Sequence, residues 1–214
     1  SIANTTSMGG EVQFFQLGGD TYMVVPNYAQ SSNYNQNTEI FRHDSGSDQF
    51  VSFQSFATVA GSHTTEFFTI GADHFLCVGG YYDGDYNTES AVFRWNGTNF
   101  DTTPYQLFPD PWGVMDCEVA QFDGKTFLAF ASYYDTNEGQ DNYIYQWNPS
   151  TTQFDEIQTI QGWRRIDIDY HRIQGSHFLL ATDYFNGSYN SAHTRFYKYN
   201  DRTGLWDQNY TWNS

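Results

Sequence analysis

Basic residues are few in this chain. Nine lysines and arginines stand against 25 acidic residues, for a net charge of −16. Phosphate backbones need a cationic face, so this deficit excludes nucleic acid as a partner and argues against anionic membrane surfaces. Lysine is scarce and leucine sparse. No apolar stretch approaches the length of a membrane span and no signal-type apolar segment opens the chain, so the expectation is a mature soluble protein with no membrane insertion. The two cysteines do not fix a redox compartment. The catalytic spacings HExxH and GxSxG are missing, as is a glycine-rich phosphate loop, and the histidines fall in no triad-like context. The chain therefore reads as a binding protein and not as an enzyme.

Aromatic rings are abundant. They make up 20% of residues, led by 19 phenylalanines and 17 tyrosines. Together with plentiful Thr, Asn, Asp and Gly, they favour strands and tight turns. The chain also aligns on itself four times, over residues 10–62, 63–114, 115–165 and 166–214. Each copy opens on a strand with an acidic start (EVQFFQL, TEFFTI, DCEVAQF, DIDYHRI). A glycine turn and a second strand follow (TYMVVPNY, HFLCVGGYY, TFLAFASYY, HFLLATDYF). A polar, tyrosine-bearing loop leads to a third strand ending in IFRHD, VFRWN, IYQWN or FYKYN. An aromatic then recurs at Phe50, Phe100, Phe154 and Trp206, ahead of a fourth strand (VSFQSFAT, DTTPYQLF, DEIQTIQ, DQNYTW). A sheet of about 50 residues cannot bury both faces alone, and radial stacking of such sheets does bury them. The expectation is all-β: a four-bladed β-propeller with four antiparallel strands per blade in a single domain over residues 1–214. Part of a larger propeller is the alternative.

Residues 50–100 carry FVSFQSFAT, EFFTIGADHFLCVGGYY and SAVFRWNGTNF. These segments resemble the EAR (EPTP) repeat of leucine-rich glioma-inactivated proteins and of extracellular proteins of hearing and adhesion. The resemblance implies a secreted β-propeller that recognises a protein or cell-surface ligand without catalysis. Known members have seven blades, and this chain holds four copies.

The loops between second and third strands are equivalent in all four repeats and should gather on one face. Exposed Tyr with Asn, Asp and Gly makes a rigid yet adaptable binding surface. The candidate ligand residues are Tyr34 and Asn35; Tyr82, Asp83, Asp85 and Tyr86; Tyr134, Asp135 and Asn137; and Phe185, Asn186 and Tyr189. Sugars stack C–H faces on aromatic rings and need amide and carboxylate partners, so a multivalent, lectin-like propeller that binds a cell-surface glycan is the leading expectation. An extracellular protein partner or cell-adhesion role of the EAR type is the alternative. A glycoside hydrolase using Glu66, Glu118 and Asp169 is a lesser one. The aligned first-strand positions Gln13, Glu66, Glu118 and Asp169 could converge on a channel and hold a structural Ca²⁺, or act as rim carboxylates or as acids capping backbone amides. The run Asp83–Asn87 begins like an EF-hand loop, but Thr88 and Arg94 stand where Gly and Glu are required. Cys77 and Cys117 lie on strands of adjacent repeats, either as a cross-blade disulfide or as two small buried apolar groups. Sequons at Asn4, Asn96, Asn186 and Asn209 lean towards a secreted glycoprotein.

Overall fold

The computed structural model describes residues 8–30, 33–34, 36–56, 61–133, 141–184 and 193–213. β1 (Met8–Gly9) precedes the first repeat, which holds β2 (Gln13–Leu17), β3 (Asp20–Val25), β4 (Asn27–Ala29), β5 (Thr38–Asp44) and β6 (Gln49–Phe56). In the second come β7 (Ser62–Ile70), β8 (Asp73–Gly80), β9 (Ser90–Arg94) and β10 (Gln106–Phe108). The third supplies β11 (Val114–Phe122), β12 (Lys125–Ser132), β13 (Asp141–Asn148) and β14 (Gln153–Gln161), and the fourth β15 (Arg165–Ile173), β16 (Ser176–Asp183), β17 (His193–Asn200) and β18 (Leu205–Asn213). These strands form four antiparallel meanders, one four-stranded sheet per repeat, with β1 and β4 as a separate two-stranded ribbon. The all-β reading with four antiparallel strands per repeat is what the structure holds.

The second strand of three sheets, β3, β8 and β12, is buried along most of its length. That explains its continuous apolar run, since a strand covered on both faces need not alternate. The first hairpin of three sheets turns on paired left-handed residues: Gly18–Gly19 (φ 62° and 91°), Asp123–Gly124 (49° and 72°) and Gln174–Gly175 (49° and 81°). Such turns match the right-handed twist of the strands they join.

Two strands differ from expectation. The second strand of the first repeat breaks at Pro26, which has no N–H to give the ladder, and β4 pairs with β1. The fourth strand of the second repeat starts only at Gln106, after Pro104, where DTTPYQLF reads as a full strand.

The chain divides into two compact units, residues 1–109 and 110–214. In unit 1 the first two sheets bury Phe15, Tyr22, Ile40, Leu76, Phe93 and Phe100 between them. In unit 2 the last two sheets bury Phe122, Phe127, Ile144, Tyr197, Tyr199 and Trp206. Each unit repeats the same polar seam. The Gln54 side chain donates to the Phe100 carbonyl (2.8 Å) and accepts from its N–H (3.0 Å). Gln158 does the same to Trp206, at 2.8 Å for both bonds. Both partners are backbone groups, so each glutamine satisfies the N–H and the C=O of one residue across the seam.

Cys77 and Cys117 form no disulfide. Both are buried thiols, of the two alternatives the small apolar one. Cys77 pairs across its sheet with Glu66 and Val92, and Cys117 with Phe130, so each is absorbed by packing in its own sheet.

Candidate functional site

The loop face of unit 1 is built on a close approach of backbones. Gly61 immediately precedes β7 with φ 60°, and its carbonyl accepts from the Tyr81 N–H (3.0 Å) and the Tyr82 N–H (3.3 Å). A Cβ on Gly61 would lie 1.7 Å from the Tyr82 carbonyl oxygen, so only glycine fits. The same bond recurs in unit 2, from Tyr133 to Gly113 (2.9 Å) and from Tyr184 to Arg164 (3.0 Å). In these three repeats the link into the first strand thus holds the first tyrosine of the following loop.

On this base stand five tyrosines. Tyr34 meets Tyr82 edge-on with centroids 4.8 Å apart, Tyr82 lies 4.7 Å from Tyr86, and Tyr81 lies 5.4 Å from Tyr86. Tyr28 joins Tyr34 at 5.6 Å and Tyr81 at 5.2 Å. All five are half-buried, so their rings are held by one another while part of each still meets solvent. Loss of water around the rings pushes the Tyr28 hydroxyl above the usual tyrosine range, with neighbouring tyrosines adding. The same causes act on Tyr82, and Asp85 and Asp83 add to them.

The carboxylates of this loop fold the loop itself. Asp83 Oδ1 accepts from the Asp85 N–H (3.2 Å), and Asp85 Oδ1 from the Tyr86 N–H (2.7 Å). Both side chains remain exposed. The structure therefore brings together Tyr34, Tyr82, Asp83, Asp85 and Tyr86. Asn35, Tyr134, Asp135, Asn137, Phe185, Asn186 and Tyr189 lie outside the described residues. Tyr28 and Tyr81, at the strand ends, pack into the same aromatic surface.

Two of the four aligned first-strand positions, Gln13 and Glu118, cap backbone N–H groups. Gln13 Oε1 accepts from the Phe67 N–H (2.7 Å), and its amide donates to Glu66 Oε2. In unit 2, Glu118 Oε1 accepts from the Tyr170 N–H (3.0 Å), and Asp116 Oδ2 from the Ile168 N–H (3.0 Å). Asp169 stays exposed, 4.0 Å from His171 Nε2. Burial raises the neighbouring Asp167 carboxyl above its ordinary range, and Asp169 adds to it. Among the described residues, no group of three or more His, Cys, Asp or Glu is arranged to hold a metal ion.

Sequence reasoning passed over an ionic cluster in unit 2. Asp183 is fully buried and accepts from Arg165 Nε (2.9 Å) and from Arg195 Nη1. Arg165 also donates to the Gln161 carbonyl (3.2 Å). Burial pulls both guanidinium groups down. A charge cluster taken this far out of water is retained at a cost that its hydrogen bonds must offset. The paired arginines of IQGWRR were the available signal.

Comparison with known proteins agrees with the repeat. The EPTP domain model matches residues 49–96 and 103–148. Those two segments match the EPTP repeat. Among curated relatives, the human thrombospondin-type laminin G domain and EAR repeat-containing protein is 31% identical over 70% of this chain and 22% of its own length. The mouse protein of that name is 28% identical over 91% of this chain and 28% of its own length. Mouse leucine-rich repeat LGI family member 3 is 26% identical over 43% of this chain and 16% of its own length. The chain thus spans less than a third of each of these relatives. Among solved structures, a 6-phosphogluconolactonase-like protein of Bacteroides fragilis superposes with TM-score 0.66 at 13% identity, over 94% of this chain and 53% of its own. An exo-β-1,3-galactanase of Phanerochaete chrysosporium superposes with TM-score 0.58 at 14% identity, over 94% and 49%. These likenesses show the fold, all-β and propeller-like, and say nothing of the chemistry.

Proposed function

We propose that this chain is an extracellular, non-catalytic recognition module that docks a protein partner on its tyrosine-rich loop face. The observation that carries this reading is the mutually packed set Tyr28, Tyr34, Tyr81, Tyr82 and Tyr86, beside the exposed Asp83 and Asp85. Rings already fixed by one another lose little freedom on binding, and tyrosines are over-represented among the residues that dominate interface energy. The exposed carboxylates and the −16 charge of the chain favour a basic patch on the partner and fast, salt-sensitive association. The EAR/EPTP repeats support an extracellular setting. The carboxylates offered for hydrolysis work against an enzymatic reading, because Glu118 is engaged as a backbone cap.

The test is capture of partners from an extracellular extract by the whole chain and by a Tyr34→Ala/Tyr82→Ala/Tyr86→Ala variant. Capture by the first and not the second, surviving enzymatic removal of glycans from the extract, supports the reading. Equal capture by both would overturn it, and so would capture that deglycosylation abolishes.

A further inference from the structure

At the opposite, turn end of unit 1, the first two sheets part to form a cleft of about 640 Å³. Its walls include Asp20, Tyr22, Arg42, Phe53, Asp73 and Trp95. Phe53 and Trp95 are half-buried and nearly parallel, with centroids 6.0 Å apart and planes 18° from each other. Tyr22 closes the floor, edge-on to Phe53 at 5.1 Å. The polar groups come in opposite pairs. Arg42 stands 3.6 Å from Asp20, and burial with the Asp20 charge nearby raises the Tyr22 hydroxyl above its usual range while Arg42 opposes. Asp73 accepts from Arg94 at 2.6 Å. About half of each of these charged side chains is open to water.

The charge pattern decides what fits. An anionic ligand would meet Asp20 and Asp73. A cationic one would meet Arg42, which already lies over the Phe53 ring at 5.8 Å. The acids and arginines balance, in a chain that is otherwise strongly acidic. What remains complementary is a neutral molecule with apolar faces and adjacent hydroxyls. The C–H faces meet aromatic rings, while neighbouring hydroxyls give to a carboxylate and receive from a guanidinium held side by side.

We propose that this cleft is a binding subsite for a neutral saccharide, with Trp95 as the stacking surface, Phe53 as its backing, and Arg42 and Asp20 as the paired donor and acceptor. The subsite is separate from the tyrosine face and stands whether or not that face binds protein. Gly97 and Thr98 on its rim belong to the Asn96 sequon, so the experiment uses the chain produced without N-glycosylation.

Methyl glycosides of the common hexoses and neutral disaccharides are screened at millimolar concentration by saturation-transfer NMR, and hits are titrated. Binding is expected, with a loss of about tenfold in Trp95→Ala, equivalent to about 1.4 kcal/mol. A comparable loss is expected in Arg42→Gln, and partial retention in Trp95→Phe. Ile173→Ala, an exposed position of unit 2 outside both sites, is expected to bind saccharide as the unmodified chain does. Circular dichroism of each variant confirms that it folds. No transfer from any neutral saccharide would overturn the proposal. Binding unchanged in both folded Trp95→Ala and Arg42→Gln would do the same, as would transfer confined to charged sugars.

Discussion

The two units share one backbone plan and finish the turn end of their sheet-to-sheet seam in different ways. In unit 2, Phe122 at the end of β11 stacks on His177 with centroids 3.8 Å apart and planes 11° from each other. Tyr170 fixes that histidine through a 2.6 Å bond between its hydroxyl and Nδ1. The equivalent pair in unit 1 is Leu17 and His74, and both line the cleft. The missing ring has moved two residues back along the same face of the strand. Unit 1 has Phe15 where unit 2 has Ala120, and Phe15 stacks on Phe67 at 4.2 Å. A single exchange of bulk along one strand face thus leaves one seam end filled and the other open, with the ladder untouched.

The comparison can be broken most severely at its buried aromatics. Trp206→Ala in unit 2 and Phe100→Ala in unit 1 each empty a fully buried site and are expected to cost about 3–5 kcal/mol in denaturant unfolding. Gly61→Ala comes next. Its clash with the Tyr82 carbonyl and its left-handed backbone should cost about 3 kcal/mol and disperse the tyrosine set, read by tyrosine ultraviolet difference spectra. Arg164→Gly, at the matching left-handed position of unit 2 (φ 47°), is expected to gain up to about 1 kcal/mol. The seam glutamines should be alike: Gln54→Ala and Gln158→Ala are each expected to lose about 1–3 kcal/mol by leaving a peptide group unpaired. Leu17→Phe copies unit 2 into unit 1. It should change stability by less than about 1.5 kcal/mol while occupying the cleft, and saccharide transfer should disappear.

The smallest effect appears only in alkali. Burial holds the Tyr145 hydroxyl of unit 2 far above the usual tyrosine range, with Glu156 adding. Its folded form keeps the proton after the unfolded form has lost it. The stabilisation this gives is complete below about pH 10 and is lost as pH rises through the folded value. Tyr145→Phe should therefore flatten the fall of the denaturation midpoint above that pH, leaving it unchanged near neutrality.

Repeat number and the four-strand content of each repeat were legible because they rest on periodic signals: glycine turns, apolar second strands and the aromatic before each fourth strand. The exceptions have local causes in Pro26 and Pro104, which were visible but underweighted. The seam was harder to read. Gln54 and Gln158 each stand four residues after the repeat's aromatic, Phe50 and Phe154, but a glutamine in a strand looks like a surface residue until its partner sheet is in place. The acidic first-strand positions illustrate the same difficulty. Their alignment was clear, and their partners, the N–H groups of Phe67, Ile168 and Tyr170, are backbone atoms that carry no sequence signature. The cleft escaped notice because it is defined by a side chain being smaller than its counterpart, Leu17 against Phe122.

Because Gln54 and Gln158 grip main-chain atoms, the joint between neighbouring sheets does not depend on what residue is presented to it: one glutamine holds a phenylalanine and the other a tryptophan by the same two bonds. A coupling of this kind is blind to the identity of its neighbour. Copies of the repeat can drift apart in sequence, or be duplicated within a gene, and still join without a matching change on the other side.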